Sequence, residues 1–339
     1  MEILLLFISL ILILIAAELF VNSVEWLGKL LNLSEGAVGS VLAAIGTALP
    51  ETLIPIIALL SGDSTKANEI GIGTILGAPL MLSTLTMFVT GCAVLAFKKK
   101  RKHKDKVVVN ATTISRDLKF FIFAFVLALI CGFIPETFKN IKVLIACVLF
   151  ISYLIYIIKI VKENNSNESD LPDLYFAFGN KNAMNNKYVI VLVVIQLVLA
   201  LTLIIVSANK FVDSLTFVST LLGIPAFVLS IILTPIATEL PEKFNSVIWV
   251  SKEKDTLALG NITGAMMFQA SILPAIGILL TDWSLTSLST FLSAMIAIFS
   301  ASLLLFELNE KKHMTVKMLL TCGAFYLLFI ILILMGIIN

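Results

Sequence analysis

Gly46-Thr47-Ala48-Leu49-Pro50-Glu51 returns in altered form as Ala237-Thr238-Glu239-Leu240-Pro241-Glu242, an offset of 191 residues. Each copy sets a glutamate directly after a proline inside a long apolar stretch. An ionised side chain at that depth costs roughly 2.5 to 3.5 kcal/mol on insertion scales unless something compensates it. Two equivalent intramembrane carboxylates therefore point to a cation. The similarity extends outward from the motif: Ala17–Glu51 aligns without a gap to Ala208–Glu242, pairing Phe20 with Phe211, Asn22 with Asp213, Ser23 with Ser214 and Thr47 with Thr238.

The surrounding composition agrees with a membrane setting. Of 339 residues, 59% are hydrophobic and 14% charged, against about 25% charged in soluble domains. Apolar runs bounded by polar clusters predict helices over 2–22, 34–61, 68–97, 117–135, 139–161, 187–209, 216–250, 255–281, 285–307 and 315–338. Ten spans of roughly 20 residues each make an all-α polytopic membrane protein. The four cysteines, Cys92, Cys131, Cys147 and Cys322, lie in apolar segments without metal-ligand spacing and read as packing residues. Residues 3–17 have no basic flank or clear cleavage site, so they read as the first span rather than a cleaved leader.

Charge sets the orientation. Lys98 to Lys106 holds seven of the 24 basic residues in one loop, a topology signal rather than a nucleic-acid surface. With the N-terminus outside, that run, Arg116, Lys252, Lys254, Lys311 and Lys312 fall on the inner side, and Lys66, Lys139 and Lys210 on the outer side. The expectation is a cell-membrane protein with both termini extracytoplasmic. The polar stretch 162–186 reads as a cytoplasmic linker between a first repeat, 1–161, and a second, 187–339. A brief interfacial helix is conceivable over Asp173–Phe178. Glu18, Asn22, Glu25 and Asp213, near helix ends, are expected to be solvated or interfacial.

Five spans separate equivalent helices, and an odd number inverts the second copy. Inverted five-helix repeats with helices broken at matching midplane positions are the pattern of a secondary transporter. A second motif strengthens it: Gly73-Thr74-Ile75-Leu76-Gly77-Ala78-Pro79 corresponds to Gly260-Asn261-Ile262-Thr263-Gly264-Ala265-Met266. Its paired small residues permit close helix approach, and Gly or Pro would break the helix.

A helix interrupted at Leu-Pro-Glu leaves carbonyls free beside the carboxylate, because proline has no N–H to donate. Glu51 and Glu242, with the hydroxyls or carbonyls of Thr47 and Thr238, would form a site of hard oxygen ligands. Such a set suits Ca²⁺ better than a soft metal. Neither histidine lies at membrane depth, no serine has a base partner and no aspartates pair, so the residues argue against an intramembrane enzyme.

The two Thr-x-Leu-Pro-Glu motifs, each followed by a glycine-rich motif in the next span, resemble the alpha repeats of the calcium/cation antiporter superfamily, especially its sodium/calcium exchanger branch. The likeness is close over 33–97 and 220–281. It implies alternating access, with Glu51 and Glu242 as the Ca²⁺ carboxylates and Thr47 and Thr238 as ligands beside them. It also implies Na⁺ as the coupling ion, or H⁺ as in other branches. No cofactor is implied, since the ions are cargo; the partners are inorganic cations and the lipid bilayer, with no nucleic acid, and the oligomeric state is left open, a monomer being one possibility.

This chain departs from the sodium-coupled pattern. Ala48 and Glu239 stand where serine follows the threonine, and Ala78, Leu82 and Ala265 replace oxygen-bearing positions, leaving Gln269 in the second copy. Thr74 and Asn261 are the further candidate ligands. Glu239 lies three residues before Glu242 and could supply oxygen or carry a proton, whereas Lys243 could pair with a carboxylate and take the place of a bound cation. The alternatives to Na⁺-coupled exchange are proton-coupled exchange and a divalent-ion-binding membrane protein that does not transport.

Overall fold

The computed structural model describes residues 2–30, 49–60, 65–163, 173–177, 186–285 and 287–338. Among these the chain is almost wholly helical. In order, the helices are α1 (Glu2–Leu30), α2 (Leu49–Leu60), α3 (Thr65–Met81), α4 (Met87–Phe97), α5 (Ala111–Cys131), α6 (Lys139–Glu163) and α7 (Asn186–Leu222). There follow α8 (Ala226–Thr238), α9 (Leu240–Ser251), α10 (Asp255–Leu280), α11 (Leu288–Lys311) and α12 (Val316–Leu334). Among the described residues seven helical stretches are long and apolar enough to cross a membrane. Large apolar side chains such as Phe7, Ile151, Val198 and Phe306 face outward, as lipid requires and water would penalise. The protein is an integral membrane protein.

Several expected boundaries move, each for a local reason. A loop was expected between 209 and 216, yet α7 runs unbroken to Leu222. The polar residues there are absorbed by the helix: Asn209 donates to the Ile205 carbonyl at 2.9 Å and Thr216 to that of Val212 at 2.8 Å. The helix stops at Gly223, whose φ of +66° suits glycine. There Ile224 N–H reaches back to the Ser219 carbonyl at 3.2 Å, closing the turn.

α5 starts at Ala111 instead of 117, because the Asn110 side chain caps it by accepting from Thr113 N–H at 3.2 Å. α3 and α4 form one stretch joined by a π-helical turn, Leu82–Thr86. Pro79 removes a donor there, and Ser300 of α11 donates to the Ser83 carbonyl at 2.6 Å. Two of the four cysteines, Cys92 and Cys147, are exposed rather than packed inside.

α1 and α7, equivalent in the repeat, pack antiparallel: Ser214 reaches Glu2 at one end, and Gln196 meets Asn22 at the other. Asn22 is buried, not interfacial. Its amide donates to the Asp173 carbonyl at 3.1 Å and its oxygen accepts from Tyr175 N–H at 3.2 Å, docking a single 3₁₀ turn, Tyr175–Ala177, across both helices. Asp213 stays exposed, as expected, and Glu18 accepts from the Tyr175 hydroxyl at 2.8 Å.

The remaining connections gather at two ends. At one, Lys106–Val107 (β1) pairs antiparallel with Met314–Thr315 (β2), and the 98–110 connection lies against the α9–α10 turn. At the other, Leu285 N–H bonds to the Gly132 carbonyl and Lys142 holds Glu136 at 2.5 Å. Between them Asp117 ties three helices together, accepting from Tyr156 of α6 at 3.1 Å and Thr263 of α10 at 2.9 Å.

Candidate cation-binding site

The repeat is exact where it matters most to the chemistry. Leu49 in α2 and Leu240 in α9 keep the 191-residue offset, and both Pro-Glu pairs are helical. The second pair sits in the first turn of α9, where unpaired backbone N–H groups and the positive end of the helix dipole favour a carboxylate. Glu51 lies in α2 and is 1% exposed. Immediately before α9 the chain breaks at Glu239, with φ −90° and ψ 7°, and α8 ends with its carbonyl end directed at the break. A cation is favoured at such a carbonyl end.

Glycines bring the broken helix and its neighbour together. A Cβ on Gly73 would lie 2.8 Å from the Phe227 carbonyl oxygen, and one on Gly77 would lie 2.6 Å from that of Ile231. α3 and α8 therefore touch backbone to backbone, which only glycine allows. α3 also packs on α2, and α10 packs on α2, α3 and α9, so the five helices carrying both motifs converge. Gly260 and Gly264 make no comparable approach among the described residues.

The candidate ligands separate into three groups. Glu51, Thr74, Thr238, Glu239 and Gln269 are all buried on these helices. The Thr74 hydroxyl and both amide atoms of Gln269 have no hydrogen-bond partner among the described residues, nor has the Asn261 amide nitrogen. Buried polar atoms are normally satisfied, so oxygen atoms in this state suit an ion. Thr238 instead donates to the Thr234 carbonyl at 3.0 Å, which leaves its oxygen lone pairs available. Thr47 and the side chain of Glu242 lie outside the described residues, as does Ala48. Ala78 and Leu82 are fully buried, so the positions that would bring monovalent-ion ligands are apolar.

The most specific contact belongs to Lys243. Its ammonium is 3.5 Å from the Glu239 carboxylate and donates to the Pro235 carbonyl at 3.3 Å, with Glu239 fully buried. A fixed positive charge thus rests between a carboxylate and a carbonyl at the helix break. Two further groups had no signal in the motifs. Thr234, one turn before Thr238, has a buried hydroxyl without a partner among the described residues, and so does Tyr326 of α12, which stands within electrostatic reach of Glu239. Thr234 was findable from its helical spacing to Thr238; Tyr326, from the far end of the chain, was not.

The sodium/calcium exchanger protein family matches residues 1–162 and 192–335. The chain belongs to that family. Among the relatives of this exchanger-family protein, "Cation/calcium exchanger 2" of Arabidopsis thaliana is 31% identical over 106 residues. That stretch is 31% of this chain and only 17% of the plant protein. The fold is shared with solved exchangers. The crystal structure of a H⁺/Ca²⁺ exchanger, CAX, superposes with a TM-score of 0.73 at 16% identity, covering 98% of this chain and 82% of that one. The sodium-calcium exchanger NCX_Mj superposes with a TM-score of 0.59 at 20% identity, covering 97% and 99%.

Proposed function

We propose that this exchanger-family protein is a secondary antiporter that moves Ca²⁺ against Na⁺ by alternating access. The observation that carries the reading is that both helices bearing a Pro-Glu pair, α2 and α9, pack on α10, whose buried Gln269 oxygen has no partner among the described residues. The protein is read as ten spans in two inverted five-helix repeats, 1–161 and 187–339 joined by the linker 162–186, a reading supported by the antiparallel packing of α1 on α7. Glu51 and Glu242 hold the divalent ion, with oxygen from Thr47, Thr238, Thr74 and Gln269. The basic loops 98–110 and 312–315 share one end with the α9–α10 turn. By the positive-inside rule that end faces the cytoplasm, so both termini lie outside.

The direct test is ⁴⁵Ca²⁺ flux in proteoliposomes. Glu51→Gln and Glu242→Gln should each abolish it. Undiminished flux in both would overturn the reading, and Ca²⁺ binding without flux in the unmodified protein would mark a carrier scaffold that no longer transports.

Proton-coupled exchange is the second reading, favoured by the burial of Glu239 and by the apolar replacements at Ala78 and Leu82. Flux that follows a pH gradient and ignores Na⁺ would select it.

A further inference from the structure

A cleft of about 730 Å³ opens at the basic end of the molecule, between the start of α5 and the end of α11. Three cationic side chains reach it, Arg116, Lys119 and Lys312, and no carboxylate lines it. Lys119 and Lys312 make no ion pair among the described residues. Arg116 is held in place: its guanidinium lies 5.7 Å from the centre of the Tyr156 ring and its Nε 3.5 Å from Asp117. Asn309 is likewise fixed, accepting from the Ser115 hydroxyl at 3.1 Å. Along α5 the lining then changes from cationic to aromatic, Phe120 and Phe123, one and two turns toward the membrane core, with Phe123 57% exposed.

That order, positive charge at the polar end and aromatic side chains below it, Phe120 part-buried and Phe123 exposed, is the order of groups along a phospholipid. We infer that this cleft binds the phosphate headgroup of an anionic glycerophospholipid, with an acyl chain lying along Phe120 and Phe123. A cleft of this sign repels Ca²⁺, so it is not the mouth of a cation pathway. A free phosphate would engage the cations alone, whereas a lipid engages the cations and the exposed ring of Phe123 as well. Basic pockets between membrane helices on the cytoplasmic side are a suitable receptor for such headgroups, each Lys or Arg adding about 1 kcal/mol near the surface.

The experiment uses the full chain in detergent with Phe123→Trp as reporter. Its fluorescence is titrated with brominated phosphatidylglycerol, brominated phosphatidylcholine or inorganic phosphate, and the unmodified chain is run in parallel to subtract the native tryptophans. Phosphatidylglycerol should quench the reporter saturably. Lys119→Gln with Lys312→Gln, both exposed in the folded chain, should weaken that binding by about thirtyfold. Phosphatidylcholine should quench weakly, and inorganic phosphate should not displace the anionic lipid. Equal quenching by both lipids, no loss in the double variant, or displacement by inorganic phosphate at comparable concentration would each overturn the proposal. Because the readout is binding, it stands or falls independently of which ions are exchanged.

Discussion

Arg101 grips both carboxylate oxygens of Asp255, at 2.8 and 2.6 Å, with both side chains buried. The same guanidinium donates to the Val250 carbonyl at 2.5 Å and the Lys106 carbonyl at 3.2 Å, while Val108 N–H donates to Asp255 at 3.0 Å. One arginine of the basic run is thus a structural pin joining the α4–α5 connection to the start of α10.

Removing one partner of such a pair strands a buried charge, at a cost of about 3 to 5 kcal/mol. Asp255→Asn should therefore lower the thermal unfolding midpoint in detergent clearly. Arg101→Lys should do so too, because a lysine cannot reproduce the two-pronged contact. Lys99→Gln and Lys100→Gln, on exposed side chains, should change stability by no more than about 0.5 kcal/mol. Equal sensitivity at all four positions would contradict the pin.

How far the sequence discloses this arrangement depends on the kind of signal. The sequence repeat was legible because Leu-Pro-Glu recurs with its neighbours, and both Leu-Pro-Glu stretches are helical in the structure. Arg101 was not distinguishable from Lys99 or Lys100, since burial of one residue in a charged run depends on a partner 154 positions away. The continuation of α7 through Asn209 and Thr216 was hidden for a related reason: side chains that mark loops when solvated can instead bond to their own helix carbonyls. Asn22 looked interfacial because it lies near the expected end of its helix, but the single 173–177 segment docks on it and on Gln196 and buries it. The asymmetry of the site was partly legible: Glu239 and Lys243 were visible as departures and Lys243 as a partner for a carboxylate, and the i,i+4 contact shows that Glu239 is one it pairs with.

Gly77 offers a test of how tightly the two repeats are pressed together. A Cβ there would meet the backbone of Ile231, 2.6 Å from the carbonyl oxygen and 2.9 Å from the Cα, so relief requires α8 itself to shift. Gly77→Ala should cost about 1 to 3 kcal/mol through overpacking and reduce ⁴⁵Ca²⁺ flux, because α8 carries Thr238. Gly264→Ala, which meets no described atom within 4 Å, should cost little and gains the better helix propensity of alanine. If both variants retain full flux and stability, the close approach is not needed for transport.

The linker should be separable from transport. Asn22 makes three hydrogen bonds, to Asp173, Tyr175 and Gln196, each worth about 1 kcal/mol net. Asn22→Leu should loosen the 173–177 turn without touching the proposed ion ligands. Limited proteolysis between α6 and α7 should then be severalfold faster while Ca²⁺ flux stays near that of the unmodified protein. A matching loss of flux would show that the linker restrains or drives the transport cycle.

Lys243 bears on the coupling ion. Its ammonium already neutralises Glu239 and contacts the Pro235 carbonyl, the two kinds of group that a coupling cation would need. Lys243→Met keeps the bulk and removes the positive charge that lies 3.5 Å from the fully buried Glu239 carboxylate, which makes that carboxylate's ionisation costlier. The variant should therefore recruit a further cation from solution, and its ⁴⁵Ca²⁺ flux should depend on Na⁺ or K⁺ more steeply than that of the unmodified protein. Lys243→Arg, which retains the charge, should behave more like the parent. Reconstituted uptake under separate Na⁺, H⁺ and K⁺ gradients distinguishes the cases: identical ion dependence in Lys243→Met and the parent would mean that the lysine stabilises the helix break and takes no cation's place.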